Sequence, residues 1–264
     1  NHLDVMKSSV KDFSDTGPEP TDDRRTRIRA ILMKDSSEMS GQQKAAAIKK
    51  LAEESGKSVK DTQEEVEAEL VKLVHSISID PTTGPNLKFD RLKRLYERQP
   101  VFSARTSTSI RNQAYSTPSP LAFALGHAIG VTPQTSIYDS TAGNGMLLAG
   151  GNLKESQGNE LNLDRVDYLK KLGVGTVTNE DGTTYDPGKK FDAVKVNPPF
   201  GSIPNVNYDG YGIKKLEHLI TLKALESMKP DGTAAIILGA NREVGDTVKG
   251  AQWVFENYLY GHYN

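Results

Sequence analysis

The chain has 264 residues, with 33 Lys+Arg against 34 Asp+Glu, a formal net charge of -1, and 25% charged residues. That length allows a sizeable core and more than one average domain. The balanced charge excludes a uniformly basic or acidic chain while leaving room for a local basic patch. There is no cysteine, so disulfide scaffolds, cysteine-based zinc or iron–sulfur sites and thiol nucleophiles are excluded.

Residues 1–21 are polar, with Pro and Gly and few apolar groups, and read as disordered. Thr21 is placed to cap a first helix over 22–34, with Ile28, Ile31 and Leu32 on one stripe. Ser40 caps a second, to about Ser55, closed by Gly56. A third runs over 58–75, with Val66, Leu70, Leu73 and Val74 at helical spacing. The breaker DPTTGPN (80–86) separates it from a fourth over 87–98. The region 22–112 is therefore expected to be helical and carries no catalytic motif.

The period then changes. A helix from Pro118 (PLAFALGHAIG) is followed by a short strand, SIYDS, and later by strands at 176–178, 191–197 and 233–239. A helix is expected over 213–228, with Lys229-Pro230-Asp231-Gly232 as the turn into the last strand. Alternating strands and helices predict a parallel α/β sheet covered on both faces over 113–264. No apolar run reaches the roughly 18 residues that span a bilayer, the longest being Ala234–Ala240. No signal peptide opens the chain, so a cytoplasmic location without membrane contact is the expectation. The first residue is Asn1 rather than Met, which points to a processed or excised piece of a longer polypeptide.

Two stretches carry chemistry. In Asp139-Ser140-Thr141-Ala142-Gly143-Asn144-Gly145, a strand ends at an acid and a Gly-x-Gly turn opens a helix. Glycine lets backbone approach a ligand closely, and the third glycine of the dinucleotide fingerprint is missing, which argues against NAD. In Asn197-Pro198-Pro199-Phe200, two prolines end the strand FDAVKV and leave a free carbonyl at Pro198. The result is a rigid shelf at the carboxyl end of a strand, offering an amide acceptor, a backbone acceptor and an aromatic face. Those groups suit a planar substrate bearing an amino group. A plain strand-ending turn is the competing explanation for each stretch alone.

Taken together, residues 115–239 resemble the catalytic domain of the N(6)-adenine DNA methyltransferases, of the type found in restriction–modification subunits and large phage methylase polypeptides. Asn197-Pro198-Pro199-Phe200 matches the catalytic motif, Asp139 to Gly145 the S-adenosylmethionine motif, and Tyr115-Ser116-Thr117-Pro118 the upstream Tyr-x-Thr-Pro segment. The resemblance implies a Rossmann-like S-adenosylmethionine-dependent sheet, preceded here by helices, acting on DNA in a bacterial or phage-infected cell. It implies that Tyr115, Thr117, Pro118, Asp139, Thr141, Ala142, Gly143 and Gly145 surround the methionine end of the cofactor. Glu160 then holds the ribose hydroxyls, and Asp181 or its neighbour Glu180 meets the cofactor adenine. Asn197 and the Pro198 carbonyl accept the target amine's hydrogens, Pro199 stiffens the turn, and Phe200 stacks on the base. Transfer from a sulfonium, an activated leaving group, calls for no metal, and the five histidines lack ligand spacing.

Two departures from the family pattern stand out. Ser140 replaces a usual proline, and residues 253–260 read as a helix where the family continues with a strand hairpin, so the sheet is expected to lack its last strands. DNA contact is expected from a basic stretch of Lys88, Arg91, Lys93, Arg94, Arg98, Arg105 and Arg111, with a solvated helix face as the competing explanation. Arg24, Arg25, Arg27 and Arg29 form a second cluster with a packing or partner role. Tyr208 and Tyr211 are candidates to line a substrate loop. Further subunits, or the rest of a longer polypeptide, are expected partners. Rival functions are methyl transfer to protein glutamine or RNA, and a degenerate methylase module serving DNA binding or assembly.

Overall fold

The computed structural model describes residues 23–100, 116–239 and 248–263. The segment expected to be disordered, the boundary near residue 112, the Thr21 cap, and Tyr115, Arg105 and Arg111 lie outside the described residues.

Four helices come first: α1 (Asp23–Met33), α2 (Gly41–Glu54), α3 (Val59–Ile79) and α4 (Pro85–Glu97). Ser40 caps α2 through a reciprocal box, its hydroxyl accepting from the Gln43 amide while the Gln43 side chain accepts from the Ser40 amide at 2.8 Å. Ser58 caps α3 in the same sense. The helix α3 continues past His75 to Ile79 because nothing in Ser76-Ile77-Ser78 breaks it, and it stops where Asp80 precedes Pro81. Three arginines of α1 pair with neighbouring helices: Arg24 meets Glu65 at 2.5 Å and Arg29 meets Glu69 at 3.3 Å, both largely covered, while Arg27 meets Glu54 at 2.6 Å on the surface.

The second half contains α5 (Ser119–Ala128), β1 (Ile137–Asp139), β2 (Gln157–Asn159), α6 (Leu163–Leu172), β3 (Thr176–Thr178), β4 (Phe191–Val196), β5 (Ser202–Tyr208), β6 (Tyr211–Lys215), α7 (Leu216–Leu225), β7 (Met228–Ile236) and α8 (Gly250–His262). Five strands form one parallel sheet in the order β3-β2-β1-β4-β7. This is the expected Rossmann-like α/β sheet. The central strand β4 is buried along nearly its whole length, as a strand covered on both faces must be.

Three local expectations are corrected. The helix expected over 213–228 covers only Leu216–Leu225, as α7. The stretch before it, 202–215, is an antiparallel hairpin, β5 against β6. The reason is the turn Asp209-Gly210, whose positive φ values of 48° and 86° match the twist of a two-residue hairpin. The turn Lys229-Pro230-Asp231-Gly232 lies inside β7 as a bulge, between Met228 opposite Phe191 and Thr233 opposite Ala193. The strand therefore starts earlier and ends at Ile236 rather than Gly239. The Gly-x-Gly turn does not open an α-helix: one 3-10 turn, Met146–Leu148, follows it.

The space a crossover helix would fill after β1 is covered from the N-terminal region. One core cluster joins Ile28, Ile48, Val71, Val74 and Leu92 of the first four helices to Met146, Leu147 and Ala149 of that short turn. The N-terminal helices and the sheet thus share a core, and α3 lies against α6 and the loop after β1. No helix among the described residues is long and apolar enough to cross a membrane.

Candidate active site

In the strand order, the chain runs outward from β1 through β2 to β3 on one side, and from β4 to β7 on the other. The crevice at the carboxyl ends of β1 and β4 is therefore the switch point where open sheets take ligands. Tyr138 of β1 lies opposite Val194 of β4, so the loops that follow leave from one rim. They meet: a small cleft is lined by Thr117, Asp139, Gly143, Asn144, Arg165 and Asn197. Thr141 and Ala142 line it as well.

On the β1 side, Asp139 is buried and its Oδ1 accepts the Thr141 amide at 3.0 Å. Burial pushes its carboxyl up to about 7, with the Thr141 amide and the Lys195 ammonium working the other way. Glu160, at the end of β2, reaches back to this loop. Its Oε2 accepts the Gly143 amide and its Oε1 the Asn162 amide, both at 2.8 Å. Gly143 lines the cleft at φ 55°, a conformation that favours glycine, and a Cβ there would meet only the Arg165 guanidinium at 3.8 Å. Gly145 has a different job. At φ 92° it lies against α6, where a Cβ would sit 2.9 Å from Leu172 and 3.0 Å from Leu169, and it does not line the cleft.

On the β4 side, Asn197 donates its Nδ2 to the hydroxyl of Thr117 at 3.2 Å, across 80 residues of sequence. That bond orients the amide and leaves Oδ1 as its acceptor. Pro118 serves as the N-cap residue of α5 beside buried Thr117. Pro198 is buried, Pro199 is half-buried, and Phe200 is 36% exposed, with Gly239 so close that a Cβ would fall 3.2 Å from its ring. The Gly201 amide donates to buried Glu217 at 2.9 Å, anchoring the end of the motif to α7.

Glu180 and Asp181 are both exposed on the loop after β3. Asn159 ties that loop to the rim, its Nδ2 donating to the carbonyls of Ser140 and Glu180 at 3.1 and 2.8 Å. Asp181 caps its own turn through Thr183. Tyr208 and Tyr211 do not line the cleft. They meet Tyr258 edge-on at 5.3 and 5.2 Å in the cluster between the hairpin and α8.

Several site residues escape sequence reasoning. Lys195, two residues before Asn197, is fully buried and donates to the Ala122 carbonyl at 3.1 Å; burial pulls its ammonium down to about 8. Arg165 at the rim is held by Glu64 of α3 through two bonds of 3.0 Å. Asn144 donates to Glu64 and Glu67, both at 3.0 Å. Nothing short of the tertiary contact brings residues 73 to 101 positions apart together. Leu161 and Leu163, 69% and 68% exposed beside Glu160, are an apolar pair that a search for surface leucines would have found.

The expected DNA-binding cations divide. Lys88 donates to the Ser78 carbonyl at 2.7 Å, Arg91 pairs with Asp80 at 3.5 Å, and Arg98 with Asp35 at 2.6 Å. Lys93 is exposed, 3.9 Å from Glu97, and Arg94 is half-buried. Another cavity, bordered by Ser78, Lys88, Phe123 and His127, contains none of the motif residues. Among the described residues, no group of His, Asp or Glu side chains is arranged to hold a metal ion.

No family model matches the chain, and no curated protein matches it. Solved structures do show likeness. A candidate RNA methyltransferase from Pyrococcus horikoshii is 24% identical, with a TM-score of 0.39, over 54% of this chain and 70% of its own. A SAM-dependent methyltransferase from Thiobacillus denitrificans in complex with S-adenosyl-L-homocysteine is 16% identical, with a TM-score of 0.34, over 51% of this chain and 56% of its own. A candidate class I S-adenosylmethionine-dependent methyltransferase from Listeria monocytogenes is 16% identical, with a TM-score of 0.37, over 82% of this chain and 73% of its own. The second is thus matched over little more than half its length. The chemistry of the site is read from this chain's own residues.

Proposed function

We propose that the chain is an S-adenosylmethionine-dependent methyltransferase acting on the exocyclic amine of adenine in DNA. The observation that carries it is the shared cleft, where the Asn197 amide stands beside Thr117 and across from Asp139 and Gly143. The cofactor fits the donor set. Ser140 Oγ and Asn144 Oδ1 are buried without hydrogen-bond partners among the described residues, and Asn144 lines the cleft with Asp139, a carboxylate suited to an ammonium. Glu160 retains lone pairs for ribose hydroxyls, and Leu161 offers an apolar face next to it.

S-adenosylmethionine supplies an activated methyl group on sulfur; the chain supplies alignment, which can contribute about 7–11 kcal/mol. Asn197 Oδ1 and the Pro198 carbonyl accept the two amine hydrogens and turn the nitrogen lone pair toward the methyl. The target nitrogen would gain positive charge on accepting the methyl group; the fixed acceptors Asn197 Oδ1 and the Pro198 carbonyl would meet that charge until one amine proton leaves to solvent. In duplex DNA the base must leave the stack, at a cost of a few kcal/mol. Stacking on half-exposed Phe200 returns about 1–3 kcal/mol.

The test is transfer of a labelled methyl group, offered in parallel to DNA, RNA and glutamine-containing peptide. Label at adenine N6 in DNA supports the assignment. Label on glutamine or RNA alone moves the site to another amine. Cofactor binding with no transfer to any substrate favours the binding-module alternative.

A further inference from the structure

The Asn144 amide is held in an unusual way. Its Nδ2 lies 3.0 Å from Glu64 Oε2 and 3.0 Å from Glu67 Oε2, so each of its two hydrogens has its own carboxylate on α3. A flipped amide would set its oxygen against the Glu64 carboxylate that pairs with Arg165, which repulsion disfavours. The side chain therefore has one orientation, and its Oδ1 is left buried and without a partner among the described residues. A buried acceptor without a donor is unfavourable, and a ligand donor removes the deficit. Asn144 lines the same cleft as Asp139 and Gly143. The two glutamates are themselves fixed: Glu64 makes two bonds to Arg165, and Glu67 accepts from the Ser116 hydroxyl, one residue before Thr117.

We infer that Glu64 and Glu67 of the N-terminal helix α3 are positioning residues for the cofactor. They turn the Asn144 amide so that its Oδ1 accepts a hydrogen bond from the ammonium of the cofactor's amino-acid end. The helical region is then part of the cofactor site rather than an appendage to it. This rests on the cofactor assignment above, and the test separates the two.

S-adenosylhomocysteine carries the amino-acid end, and 5′-methylthioadenosine lacks it. Calorimetric titration of the chain with each compound gives an affinity ratio. For Asn144→Ala, the ratio should drop about tenfold through loss of S-adenosylhomocysteine affinity, with 5′-methylthioadenosine affinity within about twofold. Glu67→Ala should move the ratio the same way, and it stands in if the Asn144 variant does not fold. Glu67→Gln, whose amide oxygen still accepts, should restore most of the ratio. Equal weakening of both compounds, or an unchanged ratio, overturns the inference and leaves the cofactor assignment standing. A wild-type chain that binds neither compound overturns the cofactor assignment, and this inference with it.

Discussion

The loop after β1 is tied from several sides. Glu160 holds the Gly143 amide, Asn159 the Ser140 carbonyl, and Glu64 and Glu67 the Asn144 amide, and most of the loop is buried. The loop after β4 is held through the Thr117 contact of Asn197 and the Glu217 contact of Gly201, with Phe200 half-exposed between them. The first is held by buried side-chain contacts on several sides, while the second leaves an aromatic ring exposed, as the proposed entry of a base requires. A donor that must be aligned to a fraction of an ångström calls for the former. A base entering from a duplex calls for the latter.

The sharpest way to break this comparison is Asn197→Ala. It should lower the single-turnover methylation rate about 100-fold or more, with cofactor Kd within about twofold by calorimetry. A Kd that moved as far as the rate would place Asn197 on the cofactor side and end the division.

Next in size is Gly145→Ala, expected to destabilise the fold by about 1–3 kcal/mol in urea unfolding. Gly143→Ala has open space around its Cβ and should lose less stability. Equal losses would mean that backbone strain alone, and not packing under α6, sets the requirement.

Two buried charged residues, Asp139 in the cleft and Lys195 in β4, predict pH effects. The Asp139 carboxyl sits at about 7 rather than 3.8, so its proton stabilises the ligand-free fold. That contribution is fully present below about pH 4 and is lost as pH rises through about 7. Lys195 has the opposite sign: its folded value of about 8 lies below 10.5, so its contribution is present above the unfolded value and lost as pH falls through about 8. Cofactor affinity should rise with pH by up to about tenfold per unit below 7 and then level off. Asp139→Asn should bind weakly with a flat profile, and a profile unchanged by that substitution would remove Asp139 from the ammonium site.

The smallest effect concerns nucleic acid. Replacing Lys93 and Arg94 together by Ala should reduce the salt dependence of DNA affinity, log K against log salt, by a slope of about 2. An unchanged slope would leave α4 as a solvated face. Arg91→Ala and Arg98→Ala should act first on thermal stability, since both guanidiniums pair within the chain.

Much of this was legible in the residues because it is local. Ser40 with Gln43 announces a helix start, Pro81 an end, and the apolar run before Asn197-Pro198 a central strand. The Asp209-Gly210 turn is equally local, but the apolar residues from Ile213 onward also fit a helical period, so the residues alone do not separate hairpin from helix there. Asp139, Gly143, Asn197 and Glu160 belong to recognisable patterns, and the fold brings them to one rim.

What the order of residues determined by itself was the menu of elements and the identity of the two chemistry-bearing turns, because capping, proline stops and strand burial depend on neighbours a few positions apart. What only the tertiary structure decided was that α3 covers the loop after β1. The side chains of Glu64 and Glu67 are indistinguishable in sequence from any solvated helix carboxylate until packing sets them against Asn144 and Arg165. Hydrogen bonds and buried charges act over a few ångströms in space, at whatever separation along the chain.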